Sequence, residues 1–157
     1  MQKKKSFWKR GVAEILGFGC ALPFMILVIC AIFSATQISL ASEQLLYAAY
    51  SAGRAAVVTA TEADGRNRTE EIIEAMYSDM NCIVDFLPSE TNTKAKAEKL
   101  GKNDIYCVIE YVNKGSDWYK GSIIRCTVYQ YISPLMPFTA GVRSQSLVMM
   151  VENGLGS

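Results

Sequence analysis

One long uncharged stretch near the N-terminus most constrains how this chain can fold. No charged residue occurs in residues 15–42, and a helix needs about 20 apolar residues to cross the hydrocarbon core of a bilayer. The apolar region of a signal peptide is shorter. We therefore expect a retained anchor, with cleavage near residues 36–42 as the alternative. The predicted organisation is a basic leader over residues 1–14, a transmembrane helix over 15–37 and an extracytoplasmic domain over 38–157.

The charges around this stretch predict its orientation. Five basic residues precede it, and only Glu14 opposes them; these are Lys3, Lys4, Lys5, Lys9 and Arg10. The remainder of the chain carries more acidic than basic residues. Because basic flanks stay in the cytoplasm, we expect a single-pass membrane protein, with its N-terminus inside and its C-terminal domain outside.

The composition also excludes several classes of function. The chain has no His, which removes the commonest general base and the commonest zinc ligand. The net charge of +1 does not favour a nucleic-acid partner, which requires a clustered basic face. Asp85, Glu90, Asp104 and Glu110 show no spacing typical of a catalytic site. We expect no enzyme, no cofactor and no metal site.

The helical pattern continues beyond the membrane segment. Small and apolar residues recur at three- and four-residue spacing up to Ala60 and predict one helix over about residues 8–61, with Asp64-Gly65 as its stop. Thr69 is the expected N-cap of a second helix, whose apolar stripe is Ile72, Ile73, Met76, Met80 and Ile83. A short helical turn is expected over residues 94–100.

The sequence of the C-terminal half predicts β-strands. Residues 105–112, 123–132 and 144–152 are rich in β-branched, aromatic and apolar residues, and the turn-forming residues 113–117 predict a hairpin between the first two. The expected fold is α+β, with a three- or four-stranded antiparallel sheet packed on the upper half of the long helix. Both faces of residues 105–112 are apolar, so we expect both to be covered. For Trp118, Tyr119, Tyr129 and Tyr131 we expect ordinary packing rather than an exposed contact surface.

Five cysteines divide between the two parts of the chain. Cys20 and Cys30 lie in the apolar stretch, where they serve as small apolar fillers. Cys82, Cys107 and Cys126 lie in the domain that we place outside the cytoplasm, where disulfides are permitted. Cys107 and Cys126 fall on the two hairpin strands and are expected roughly opposite each other. A bond between them, or from Cys82 to either, is possible and leaves one thiol over.

Three segments together resemble the TadE-like pseudopilins of tight-adherence (Flp-type) pili. The first is Lys9-Arg10-Gly11-Val12-Ala13-Glu14, followed by Ala21-Leu22-Pro23-Phe24 within the apolar stretch. The second is Tyr50-Ser51-Ala52-Gly53-Arg54-Ala55-Ala56. The third comprises Cys126-Thr127-Val128-Tyr129, Pro134-Leu135-Met136-Pro137-Phe138 and Met149-Met150-Val151-Glu152.

The resemblance implies a pilin-like fold and the role of a minor pilin or pilus-assembly component. It implies cleavage after Gly11 by a prepilin peptidase, so that Val12 becomes the new N-terminus, and pairing of Glu14 with the N-terminal amine of a neighbouring subunit. The implied partners are membrane lipid, other pilin-like subunits and the assembly platform.

Glu14 is only the third residue after Gly11, closer than is usual in pilin-like precursors. One alternative is therefore an unprocessed single-pass protein whose outer domain binds an envelope partner or ligand. Glu14 would then lie among the lipid headgroups near Arg10, because ionisable side chains near the end of a membrane span reach water.

Overall fold

Eight elements follow one another in the computed structural model, which describes residues 2–87, 92–113 and 117–154 and the side chains from residue 17 onward. They are α1 (Gln2–Val57), α2 (Glu62–Met76), β1 (Asn81–Phe86), α3 (Thr93–Ala97), β2 (Asp104–Tyr111), β3 (Ile123–Ile132), a 3-10 turn (Pro137–Thr139) and β4 (Gly141–Met150). The fold is therefore α+β, as predicted.

Helix α1 is 56 residues long and passes through two different surroundings. Its apolar part from Gly17 to Phe33 is exposed almost throughout, whereas its upper part forms the core of the domain. The buried side chains recur every three or four residues, as one face of a helix requires; they are Leu45, Ala48, Ala49, Ala52, Ala56 and Val57. Small side chains on this face let the sheet approach the helix closely.

The prediction that α1 continues to about residue 61 and stops at Asp64-Gly65 is wrong. The helix ends at Val57 because groups distant in sequence bind its last carbonyls. Glu152 donates its backbone N–H to the Val57 carbonyl at 2.8 Å, and the side-chain amide of Asn153 donates to the Val58 carbonyl at 3.0 Å. Partners for these free carbonyls stabilise a helix end.

The predicted start of the second helix at Thr69 is also wrong. Helix α2 begins at Glu62, and Thr61 is its N-cap, with its hydroxyl accepting from the Asp64 backbone N–H at 3.2 Å. Gly65 and Thr69 are buried inside the helix, and the Thr69 hydroxyl donates to the Gly65 carbonyl. An internal Thr can satisfy its hydroxyl in this way, so Thr69 needs no cap position.

Strand β1 replaces the end of the predicted second helix. Helix α2 ends at Met76, and Ile83, which we expected on its apolar stripe, lies in β1. The apolar residues continue at helical spacing across this boundary, so periodicity alone does not reveal it.

The sheet has four strands in the order β1-β2-β3-β4. The predicted hairpin is confirmed: β2 pairs antiparallel with β3, and β4 pairs antiparallel with β3. Strand β1, however, runs parallel to β2, so the sheet is mixed and the prediction of a wholly antiparallel sheet is wrong. The connection through α3 returns the chain to the same end of the sheet, which is what a parallel pair requires.

Both faces of β2 are covered, as expected. Ile105, Cys107 and Ile109 on one face of β2 belong to the core formed with α1 and α2. Tyr106 and Val108 on the other face pack with Ala97 and Leu100 from α3 and the turn that follows it. The near-continuous apolar sequence of β2 is explained by this two-sided burial.

Candidate functional site

The apolar part of α1 forms a long exposed surface. Gly17–Val57 is the one candidate membrane span in the described part of the chain, by length and apolarity, and only 6% of its most apolar window is buried. Phe18, Phe24 and Phe33 are exposed by 58–72%. No domain surface covers these rings, so this stretch can contact lipid or other helices.

Three residues singled out from the sequence lie in the first turns of α1. Gly11, Val12 and Glu14 are helical in the described backbone, but their side chains lie outside the described part. Processing after Gly11 and pairing through Glu14 therefore remain predictions.

The upper half of α1 carries a second exposed surface on the side away from the core. Leu46, Tyr47 and Tyr50 are exposed by 43–65%. Two open grooves flank them. One, of about 650 Å³, lies between α1, α2 and β3 and is lined by Leu40, Glu43, Gln44, Tyr47, Met76, Tyr77 and Gln130. The other, of about 350 Å³, includes Leu147 of β4. These grooves are shallow contact surfaces and do not enclose a ligand.

Cys107 and Cys126 are brought together in the core. Their sulfur atoms lie 3.9 Å apart, and both side chains are fully buried. They lie roughly opposite each other, as expected, but not in register: Cys107 pairs with Val128 and Cys126 with Ile109, so the two are diagonal on one face. The structure holds both as thiols, and the hydrogen bond with Cys126, together with burial, raises the pKa of Cys107 well above its usual value.

Cys82 lies on the neighbouring strand β1, diagonal to Cys107, because it pairs with Ile105. It is half-buried at the start of β1, with its sulfur 3.6–3.8 Å from the carbonyl oxygens of Ile73, Tyr77 and Met80. Burial, and then the nearby Glu74, raises the pKa of this thiol. A raised pKa lowers the thiolate fraction and so the reactivity of the group.

An ionic cluster lies on the face of the sheet that is turned away from α1, and we did not predict it from the sequence. The Asp85 carboxylate accepts a hydrogen bond from the Tyr106 hydroxyl at 2.6 Å and forms an ion pair with Lys96. Burial alone would raise the pKa of Asp85, but the bonds from Lys96 and Tyr106 outweigh it and lower that pKa. Burial, and then the Asp85 carboxylate, raises the pKa of Tyr106. In the sequence, this cluster is marked only by Asp85 and Tyr106, each of which stands between apolar neighbours.

This cluster joins four elements by packing and charge. Lys96 lies 5.9 Å from the centre of the Tyr106 ring, which stacks on Tyr129 at 5.7 Å. The contacts connect α3 to β1, β2 and β3. Among the residues whose side chains are described, no group of three or more His, Cys, Asp or Glu could hold a metal ion.

The aromatic residues are mostly used in packing, as expected. Trp118 packs on Phe86 with ring centres 5.5 Å apart, and its indole N–H donates to the Thr59 carbonyl. The hydroxyl of Tyr111 has no hydrogen-bond partner, and burial raises the pKa of Tyr111 to about 12. Tyr119 remains 45% exposed. Trp118 therefore anchors its loop to the domain.

Comparison with known proteins adds no relative. No protein-family model, curated protein or solved structure matches the chain.

Proposed function

We propose that this chain is a membrane-anchored, pilin-like structural or assembly component, a minor pilin, of a tight-adherence type IV pilus or a related secretion system. The observation that carries the proposal is the division of α1. Phe18, Phe24 and their neighbours are exposed, whereas one face of the upper half of the helix, beginning at Leu45, is buried beneath the sheet. One helix can therefore anchor the protein and carry its domain, because an exposed apolar surface of this size requires a partner.

The proposed work of the protein is packing, without chemistry on a substrate. The exposed stretch of α1 would contact membrane lipid and the helices of other pilin-like subunits. Small residues in this stretch support helix contact, because they allow close approach; a Cβ added at Gly17 or Gly19 meets no atom within 4 Å. Glu14 would pair with the N-terminal amine of a neighbouring subunit.

The sequence supports the orientation and the remaining partners of this proposal. The five basic residues before the apolar stretch favour a cytoplasmic N-terminus. The domain would then lie outside the bacterial cell membrane. Before assembly, the protein would meet a prepilin peptidase and the assembly platform of the pilus.

The mature N-terminus is the decisive measurement. We expect the full chain, expressed with a prepilin peptidase, to begin at Val12 by N-terminal sequencing and intact mass, and to retain the leader when the peptidase is absent. Gly11→Val should block this cleavage. Gly19→Val is the matched control, because it makes the same change in the same helix beyond the cleavage site. Cleavage near residues 36–42 would contradict any membrane-anchored role.

A second candidate function is an unprocessed single-pass protein whose outer domain binds an envelope partner. The groove of about 650 Å³ beside Tyr47 and Tyr77 favours it. An N-terminus at Met1 or Gln2 in the presence of the peptidase would support this candidate. We rank it second because the groove is open rather than a deep apolar pocket.

A further inference from the structure

The loop between β3 and β4, residues 133–140, is hydrogen-bonded to α1 at Ser34 and Gln37. Met136 donates its backbone N–H to the Ser34 hydroxyl, and Leu135 donates its own to the side-chain oxygen of Gln37, both at 2.9 Å. Ser34 and Met136 are buried. Ser34 and Gln37 are polar side chains within an otherwise apolar stretch, and their hydrogen bonds fix the loop against the helix.

Helix geometry gives the position of this attachment along the membrane span. The uncharged stretch begins at Ile15, and about 20 residues at 1.5 Å each cross a hydrocarbon core of about 30 Å. A helix that enters the core at Ile15 leaves it close to Ser34. The β3–β4 loop therefore lies at the outer edge of the hydrocarbon. An apolar groove of about 440 Å³ between the loop and α1 extends from Phe138 down to Leu27 and Val28, which lie within the span.

The exposed side chains of the loop suit this position. Phe138 is 78% exposed and Leu135 is 58% exposed, whereas Pro134 and Met136 face inward. No charged residue occurs between Arg125 and Arg143. Arg143 reaches back to the Thr139 carbonyl at 3.4 Å, so a cation lies at the upper end of the loop, where lipid phosphates would be found.

We propose that the β3–β4 loop is a second membrane contact, in which Leu135 and Phe138 enter the outer leaflet at the boundary between headgroups and acyl chains. This inference rests on the membrane span in the proposed function. The loop and α1 together would hold the domain at a fixed tilt to the bilayer, since two contacts constrain an orientation that one helix leaves free. Lipid is the expected occupant because the loop is continuous with the surface of the spanning helix.

Tryptophan fluorescence in liposomes tests this contact directly. The full chain carrying Trp8→Phe keeps only Trp118, which lies at the far end of the domain and supplies a constant background. To this Trp8→Phe background we add either Phe138→Trp or Leu135→Trp. Both positions are exposed, so the fold should tolerate the indole ring. Phe24→Trp is the control within the span. Phosphatidylcholine brominated either near the headgroup or near the chain ends is the quencher.

We expect the added emission of Phe138→Trp and Leu135→Trp to shift to shorter wavelength and to be lost mainly with bromine near the headgroup. Phe24→Trp should be quenched and the Trp118 background should not. Quenching of Phe24→Trp without quenching of either loop variant would overturn the loop contact alone. Failure to quench Phe24→Trp would remove the membrane span and both proposals with it. A blue shift without bromine quenching would mean contact with another copy of the chain, and would also overturn the inference.

Discussion

Two fully buried thiols, Cys107 and Cys126, meet across neighbouring strands at 3.9 Å. A disulfide requires the sulfurs to approach to about 2.05 Å, a movement that side-chain rotation supplies in part. We expect diamide treatment of the full chain to remove two hydrogens and join these two sulfurs within one chain. Because the pKa of Cys107 is raised, oxidation should be slow at neutral pH and faster in alkali. Peptide mapping without reductant measures the product.

Matched cysteine variants identify the pair that reacts. Cys82→Ser should leave the new bond intact, since the Cys82 sulfur lies among the carbonyls of Ile73, Tyr77 and Met80. Cys126→Ser should abolish it. A bond between Cys82 and Cys107 would contradict this assignment.

The sequence placed these thiols on adjacent strands but not in register. Alternation along β2 and β3 predicts which residues share a face, because the side-chain period of a strand is two. It does not predict the register, which depends on where the connecting loop turns. The loop between β2 and β3 contains several turn-forming residues in succession, so directly opposite and diagonal arrangements fit the sequence equally well.

At the scale of elements, Gly53 controls how closely α1 approaches the sheet. A Cβ at this position would lie 3.0 Å from the Met149 sulfur and 3.2 Å from the Cβ of Cys126. Met149 is flexible, but Cys126 is fixed in β3. We expect Gly53→Leu to lower the free energy of unfolding by about 1–3 kcal/mol through overpacking, measured by chemical denaturation in detergent. Gly17→Leu, in the open part of the same helix, is the control and should leave the midpoint unchanged; an unchanged midpoint for Gly53→Leu would contradict the close contact.

The Asp85 cluster predicts an acid-sensitive link between α3 and the sheet. The pKa of Asp85 is lowered in the folded state, so between the folded and unfolded values the unfolded chain binds more protons and stability falls as the pH falls. This contribution should be complete above the ordinary pKa of 3.8 and lost progressively as the pH falls from there through the lower pKa of the folded state. Asp85→Asn should flatten that part of the pH dependence of unfolding. Asp79→Asn, which removes an exposed carboxylate, is the control; equal effects of the two variants would contradict a role for the cluster.

Elements specified by their own residues were predictable, and those specified by distant contacts were not. Strand β3 has the predicted bounds, because β-branched and aromatic residues recur along its whole length. The end of α1 depends on Glu152 and Asn153, which lie almost a hundred positions later. Strand β1 was hidden by an apolar spacing that also suits a helix, and its position depends on the parallel pairing with β2. No local signal carries either of these long-range contacts.

At the scale of the whole molecule, the lower part of α1 is exposed and its upper part forms the core, so different parts of one helix serve anchoring and folding. The core begins at Leu45, and the large apolar residues from Phe18 to Phe33 contribute no buried side chain to it. Below Leu45, the domain holds α1 through the β3–β4 loop at Ser34 and Gln37 and through Ala41, which packs against the core. The domain therefore should not need the membrane segment in order to fold.

Two fragments test this separation. Residues 38–157 retain every helical residue of the core and lose the two hydrogen bonds from the loop and the α1 side of the apolar groove beside it. We therefore expect a soluble fragment with one cooperative thermal transition by circular dichroism. Residues 51–157 also lose Leu45, Ala48 and Ala49, all fully buried. Truncating one buried Leu to Ala costs about 2–5 kcal/mol, and a domain has only about 5–15 kcal/mol in total. The shorter fragment should therefore fail to fold. If residues 38–157 also failed, the lower half of α1 would be part of the folding unit, and a domain boundary at residue 38 would be wrong.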